Sequence, residues 1–227
     1  MQTKSDTKKI LLAGSTGYIG QSVFDELLGS GYTLICPVRK RKGLGKKFRN
    51  KATSKIEYGN ICDKNTVEII LKKYKRIDVI ISCLGSRYGT QKDSKDVEYK
   101  ANKNLLEIAL KREVKQFVLV SAICVQKPYL FFQKAKLDFE NLLTASKVPS
   151  TIIRPTAFFK SLSGQIERVK AGKRYIIFDK GTNNKCKPIS EKDLALFIKS
   201  KILKKETYMK TFLIGGPGPA VNPKEQG

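Results

Sequence analysis

The run Ile10-Leu-Leu-Ala-Gly-Ser-Thr-Gly-Tyr-Ile-Gly20 holds the residues with the clearest chemical purpose in this chain. An apolar segment ends in Gly14, Gly17 and Gly20, spaced G-x-x-G-x-x-G, and an amphipathic segment follows. Each glycine meets a separate requirement of a phosphate-binding turn. Gly14 lets the chain reverse sharply. Gly17 has no side chain to keep a pyrophosphate off the backbone. Gly20 lets a helix press close to the strand. The amides that open such a helix, with its dipole behind them, attract an anion. Gly14, Thr16, Gly17, Tyr18 and Ile19 are therefore the expected dinucleotide contacts. Three glycines alone also describe a flexible turn. The legible strand before them (residues 9–13) and helix after them (residues 18–28) favour the binding turn.

The next apolar run speaks to the choice of dinucleotide. Sites that prefer NAD usually end this strand in Asp or Glu, which accepts bonds from the ribose hydroxyls. Here the run ends Val38-Arg39-Lys40-Arg41, with no acid. Arg39 offers a guanidinium fork to a 2′-phosphate, a charge-assisted pairing worth roughly 1.5–3 kcal/mol. NADPH is the expected cofactor.

Composition excludes other chemistries. The chain has no histidine. A Ser-His-Asp or Cys-His machine and a His-ligated metal are thereby ruled out. Acid–base work falls to Lys, Tyr, Cys or carboxylates. Cys36, Cys62, Cys83, Cys124 and Cys186 form no C-x-x-C pair, so no metal is expected, and their odd number suits a reducing compartment. The formal net charge is +25. The lysines are scattered, without interleaved aromatics or an Arg-rich recognition helix. No nucleic acid is expected, and the excess suits anionic ligands or an anionic surface.

These residues need a scaffold, and the pattern supplies one. Short apolar strands alternate with helical periodicity, which reads as an α/β doubly wound parallel sheet. Strands are expected at residues 9–13, 31–39, 55–59, 78–84, 116–121 and 150–154. Helices are expected at 18–28, 64–73, 96–111 and 131–146, the third with its apolar stripe through Val97, Ala101, Leu105, Ile108 and Ala109. Residues 40–51 read as an exposed basic loop. Beyond Arg154 the regularity loosens. A strand is expected at 174–178, a helix at 191–202 and a strand at 211–214, and residues 222–227 look like a helix about to start. Residues 1–157 are taken as the dinucleotide-binding domain and 158–227 as a partial substrate-binding region. With the first strand expected from residue 9, no signal or transit peptide is expected ahead of it, and no apolar run reaches membrane-spanning length.

Several blocks together resemble the atypical short-chain dehydrogenase/reductases, and among them the NADPH-dependent 8-vinyl reductases of divinyl chlorophyllide a. They are Ala13-Gly-Ser-Thr-Gly-Tyr-Ile-Gly20, Ile81-Ser-Cys-Leu-Gly-Ser86, Ser121-Ala-Ile-Cys-Val-Gln-Lys-Pro128, Phe132-Gln-Lys-Ala-Lys136, Ile153-Arg-Pro-Thr-Ala-Phe-Phe-Lys-Ser161, Cys186-Lys-Pro-Ile-Ser190 and Ile214-Gly-Gly-Pro-Gly218. The glycine turn specifies only the superfamily, whereas the third and fifth blocks are long and far more specific. The resemblance spans nearly the whole chain. It implies a Rossmann-type sheet with a small, incomplete C-terminal substrate-binding part, because such proteins normally continue further.

The resemblance also implies roles. Asn60 and Ile61 fall where the superfamily contacts adenine, with Asn60 in place of the usual Asp. Cys83, Leu84 and Gly85 would pass under the ribose, and Pro155 would border the cofactor. Better-known members use Tyr-x-x-x-Lys, in which Tyr protonates an alkoxide and Lys lowers its pKa and binds the ribose. Here the spacing reads Phe132-Gln-Lys-Ala-Lys136, so the lysine is kept and the hydroxyl is missing. Reduction of a vinyl group conjugated to a tetrapyrrole is compatible with that loss, because the negative charge spreads into the macrocycle. Positioning then carries much of the catalysis, and the proton comes from Tyr129, Lys136 or a water. The implied partner is a chlorophyllide-type tetrapyrrole. Its flat apolar slot would be lined by Tyr129, Leu130, Phe131, Phe158 and Phe159, with Lys160 holding a propionate. The implied location is the cytoplasm of a photosynthetic prokaryote, with weak peripheral thylakoid association through the positive surface; the chloroplast stroma is the alternative. Against the enzyme stands a non-catalytic NADP(H)-binding sensor or assembly factor, which the missing Tyr would suit.

Overall fold

The computed structural model describes residues 7–40, 52–177, 180, 182 and 185–226. Most of the expected basic loop, residues 41–51, lies outside them.

Strand β1 (Lys9–Ala13) shows how the sheet is made. Its side chains alternate, and both faces are apolar. Ile10 and Leu12 enter one core, with Val23, Phe24 and Leu27 of α1 (Tyr18–Leu27). Leu11 and Ala13 enter the other, with Val67 and Ile70 of α2 (Lys64–Lys73). A strand buried on both faces must lie inside a sheet covered by helices on each side. The remaining strands are β2 (Thr33–Val38), β3 (Ser54–Tyr58), β4 (Val79–Ser82), β5 (Gln116–Val120), β6 (Ser150–Pro155) and β7 (Lys210–Ile214). They pair in parallel in the order β3-β2-β1-β4-β5-β6-β7. The order reverses between β1 and β4. There the loops leaving the two strands diverge and leave a crevice at the carboxyl ends.

The segment after β4 departs from expectation. The helix starts earlier than residue 96, as α3 (Gln91–Ser94), passes through a π-helical turn (Lys95–Lys100) and continues as α4 (Ala101–Lys111). A π turn accommodates an extra residue and rotates the preceding turns of the helix relative to the later ones. Ser94 and Glu98 are buried before Ala101 and Leu105, while Val97 is only half-buried. Helix α5 (Phe131–Ala145) covers the same face, and Phe139 packs on Phe117 of β5.

The expected strand at 174–178 does not form among the described residues. The amide and carbonyl of Ile176 instead bond the side-chain amide of Gln165, each at 2.8 Å. The place beside β6 is taken by β7, and among the described residues this segment pairs with neither β7 nor another strand. Three short helices complete the C-terminal part, α6 (Phe159–Leu162), α7 (Ile166–Lys170) and α9 (Pro223–Gln226). Helix α8 (Glu191–Lys201) is capped by Ser190, whose hydroxyl accepts from the Asp193 amide. It packs on α1 through Leu194, Ala195 and Ile198. None of the helices of the described residues is long and apolar enough to cross a membrane.

Candidate active site

The glycine turn sits at the mouth of the crevice. Gly14 has φ +81°, and a Cβ there would lie 2.5 Å from the Cys83 carbonyl oxygen. A Cβ on Gly20 would lie 2.0 Å from the Gly14 carbonyl oxygen, so α1 can approach the turn only with hydrogen at this position. Gly17 differs. Its backbone is extended (φ −80°, ψ 173°), and a Cβ would meet only the Gly14 oxygen, at 3.2 Å. The protein leaves the outward face of Gly17 clear. Gly17 is also the N-cap of α1, with no side chain capping the first amides and no acid in the first turn. Those amides remain for an anion.

Beyond the turn, a cleft of about 520 Å³ opens at the ends of β1, β4 and β5. Ile19, Cys83, Leu84 and Gly85 line it on one side, and Ser121, Phe132, Lys136 and Phe158 on the other. Lys136 is 11 % exposed. Its ammonium lies 3.4 Å from the carbonyl oxygens of Leu84 and Val120, between the ends of β4 and β5. On its third side, Glu98 Oε2 stands 2.7 Å away, at ion-pair distance but off hydrogen-bond alignment. Glu98 is 2 % exposed. Its other oxygen accepts from the Ser86 amide at 2.7 Å and the Ser86 hydroxyl at 2.9 Å. The Ser121 hydroxyl is buried at the cleft without a protein partner. Burial pushes the Cys83 thiol up to about 12, only partly offset by the Lys136 charge, so this cysteine is a neutral wall.

Uncapped helix amides, a turn with a clear outward face, a buried ammonium at the strand ends and an orphaned hydroxyl together fit a dinucleotide lying along the crevice. No histidine or paired cysteine competes for that reading.

The expected site residues fall into two groups. Gly14, Gly17, Ile19, Cys83, Leu84, Gly85, Lys136 and Phe158 come together at the turn and cleft. Pro155 closes β6 beside them, and Thr16 lies in the turn itself. Arg39 is exposed just past the end of β2. The others face elsewhere. Tyr129 is 81 % exposed and outside the cleft lining. Phe131 lines a second cavity of about 230 Å³ between α3 and α5, with Gln91, Lys95 and Tyr99. The helix explains this: neighbours in sequence point about 100° apart, whereas Phe132 and Lys136, one turn apart, share a face. Phe159 is exposed. The Lys160 ammonium stacks 4.8 Å from the Tyr18 ring centroid, at the glycine turn. Tyr18 itself donates a short hydrogen bond to Glu191 at the start of α8. Burial and then Glu191 push its phenol up to about 12. The Ile61 side chain is in the core and its carbonyl accepts from Asn104. Asn60 folds its side chain back onto the Cys62 amide.

Two residues of the cleft were not anticipated, Glu98 and the Ser121 hydroxyl. Ser121 is legible in hindsight as the first polar residue after an apolar strand. Glu98 is three and seven residues before Ala101 and Leu105 and so shares their helix face, but an acid there reads as the edge of an apolar stripe rather than as part of a cleft.

Comparison with known proteins agrees with this geometry. The model of a family described as NAD(P)H-binding matches residues 14–205. A chloroplastic divinyl chlorophyllide a 8-vinyl-reductase of Cucumis sativus is 46% identical over 230 residues, which cover 96% of this chain and 55% of the relative. The protein of the same name in Arabidopsis thaliana is 44% identical, again over 96% of this chain and 55% of its own length. The chain thus spans about half the length of the curated relatives it matches. Among solved structures, UDP-glucose 4-epimerase of Thermotoga maritima superposes with a TM-score of 0.79 at 19% identity, covering 96% of this chain and 79% of that one. This last similarity is one of fold.

Proposed function

The chain belongs to the NAD(P)H-binding family, and from that premise we propose that it carries out the NADPH-dependent reduction of the 8-vinyl group of a divinyl chlorophyllide to ethyl. The observation that carries the reading is the cleft itself. It offers a buried lysine at the strand ends and Phe132, not a phenol, one helical turn before it. A site with Phe132 where other members carry the phenol that protonates an alkoxide suits an acceptor that disperses charge over a conjugated ring. The curated relatives at 46% and 44% identity carry the name of this activity.

The bound cofactor supplies the hydride. The chain does the rest. The turn amides and Arg39 hold the phosphates, with Arg39 favouring the 2′-phosphorylated form. Lys136 holds the ribose and keeps a proton on Nζ at the ends of β4 and β5. Phe132 and Phe158 present apolar edges to a flat ring and keep water out. Between the two protein donors considered, Lys136 lines the cleft and Tyr129 does not, which favours Lys136. We assign residues 1–157 to the cofactor and 158–227 to the substrate side, where Phe158 and Ser161 border the cleft. The chloroplastic names of the relatives favour the stroma, and the net charge of +25 favours a weak peripheral stay at an anionic membrane.

The test is direct. The chain is incubated with NADPH and divinyl chlorophyllide a, and pigments are separated by chromatography. A monovinyl product with matching NADPH oxidation supports the proposal. Tight NADPH binding with no product would favour the second reading, a non-catalytic NADP(H)-binding sensor or assembly factor, to which Phe132 in place of a phenol also points.

A further inference from the structure

Lys136 is held by more than its own helix. Behind it runs a buried polar chain. Ser82, at the end of β4, donates its hydroxyl to Asn102 Oδ1 at 2.5 Å. Asn102 Nδ2 donates to the Glu98 carbonyl at 2.7 Å. The Glu98 side chain accepts twice from Ser86 and faces Lys136. Glu98 is thus fixed at its backbone and at its carboxylate, both from the β4 end of the crevice. Glu98 lies within the π-helical turn, three and seven residues before the buried Ala101 and Leu105.

The two partners of the ion pair are not equivalent. Glu98 is short and triply anchored. Lys136 is long, and its two carbonyl contacts at 3.4 Å are loose. An ammonium has three N–H donors. A ribose hydroxyl can replace a loose carbonyl contact at little cost, but it cannot replace a buried carboxylate without leaving that charge uncompensated. We propose that Glu98 is the positioning residue of this site, an anchored carboxylate on which Lys136 pivots to meet the cofactor ribose. Glu98 touches neither cofactor nor substrate and acts only through Lys136. The inference rests on the nicotinamide-cofactor reading and does not need vinyl reduction.

The experiment is a double-mutant cycle on NADPH affinity, read by cofactor fluorescence on the whole chain, with a thermal melt of each variant. Glu98→Gln keeps an oxygen for Ser86 and removes the charge that holds Lys136. It is expected to weaken NADPH binding about tenfold, with the melt preserved to within a few degrees. In a Lys136→Met background the same substitution is expected to change affinity less than twofold. A residue that only supported the fold would weaken binding equally in both backgrounds, and that result overturns the proposal. So does an unchanged affinity in Glu98→Gln. If Glu98→Gln fails to fold, Ser86→Ala carries the test, since it removes one of the two bonds that hold the carboxylate without touching the ion pair. A loss of about threefold that vanishes beside Lys136→Met supports the proposal, and wild-type affinity in Ser86→Ala refutes it. Coupling without monovinyl product would leave Glu98 in this role and remove the reductase reading. Product with an additive cycle would do the reverse.

Discussion

Alanine at Gly17 and at Gly20 should have opposite consequences, although the two glycines share one turn. At Gly17 the backbone is extended and open to any residue, and the new methyl meets only the Gly14 oxygen, at 3.2 Å. Fewer unfolded conformations would stabilise the variant by about 0.4–1 kcal/mol, and the tight contact offsets a similar amount. The net change is within about 1 kcal/mol, or about 2–4 °C for a chain of this size. Its methyl nevertheless stands where a pyrophosphate must touch the backbone, and NADPH affinity should fall at least tenfold. At Gly20 the methyl lies 2.0 Å from the Gly14 oxygen, more than 1 Å inside normal contact, and both atoms are backbone. Helix propensity favours alanine by about 1 kcal/mol. Relief of the clash, however, requires α1 to lift off, and α1 carries Val23, Phe24 and Leu27 into the core. Overpacking of this kind costs about 1–3 kcal/mol and occasionally more. A backbone clash this severe belongs at the upper end, so Gly20→Ala should melt about 5–10 °C lower. Circular dichroism melts and NADPH fluorescence titrations on the same samples separate the two effects. Equal losses of stability in both variants, or wild-type NADPH affinity in Gly17→Ala, would refute the division of roles.

Arg39→Asp should reduce the preference for NADPH over NADH by at least tenfold in competitive titration, from the loss of a charge-assisted pair worth roughly 1.5–3 kcal/mol; an unaltered ratio would remove Arg39 from the cofactor site. Phe132→Tyr should leave vinyl reduction flat or lower, and a rise of orders of magnitude would mean the reaction needs a phenolic acid. Arg154→Met should destabilise by about 3–5 kcal/mol in denaturant unfolding, because Glu140, bound by the guanidinium at 2.5 Å and nearly buried, loses its one salt-bridge cation among the described residues. Asp78 carries a pH dependence. Burial raises its carboxyl, but the Lys9 amide, Arg76 and Lys115 outweigh that and hold it below the ordinary range. A depressed folded value stabilises the protein above the unfolded value of about 3.9 and ceases to do so as pH falls through the folded value. The wild-type melting temperature should therefore fall more steeply below about pH 4 than that of Asp78→Asn, which at pH 7 should cost about 2 kcal/mol.

Much of this protein is written in short-range pattern. Alternating apolar residues in β1, the glycine spacing, the Asp63 and Ser190 caps of α2 and α8, and the acid-free end of β2 all depend on neighbours along the chain. The order of elements from 9 to 154 is legible for that reason, and so is the place of the phosphate turn. Tertiary packing decided the remainder. Phe131 and Phe132 are equivalent as sequence, and only the docking of α5 turns Phe132 to the cleft and Phe131 to another cavity. The 174–178 run has strand composition but joins no strand among the described residues, and the Gln165 side-chain amide bonds the Ile176 backbone instead. Lys160, read as a substrate anchor, meets a tyrosine ring that the fold brings from the glycine turn. Glu98 is the sharpest case. Its side chain lies on the buried face of the helix, seven residues before Leu105, and its partners are Ser86 just past β4, Asn102 of α4 and Lys136 of α5. Local periodicity places it on that face but carries no information about its partners, because those contacts are made only after the layers have packed.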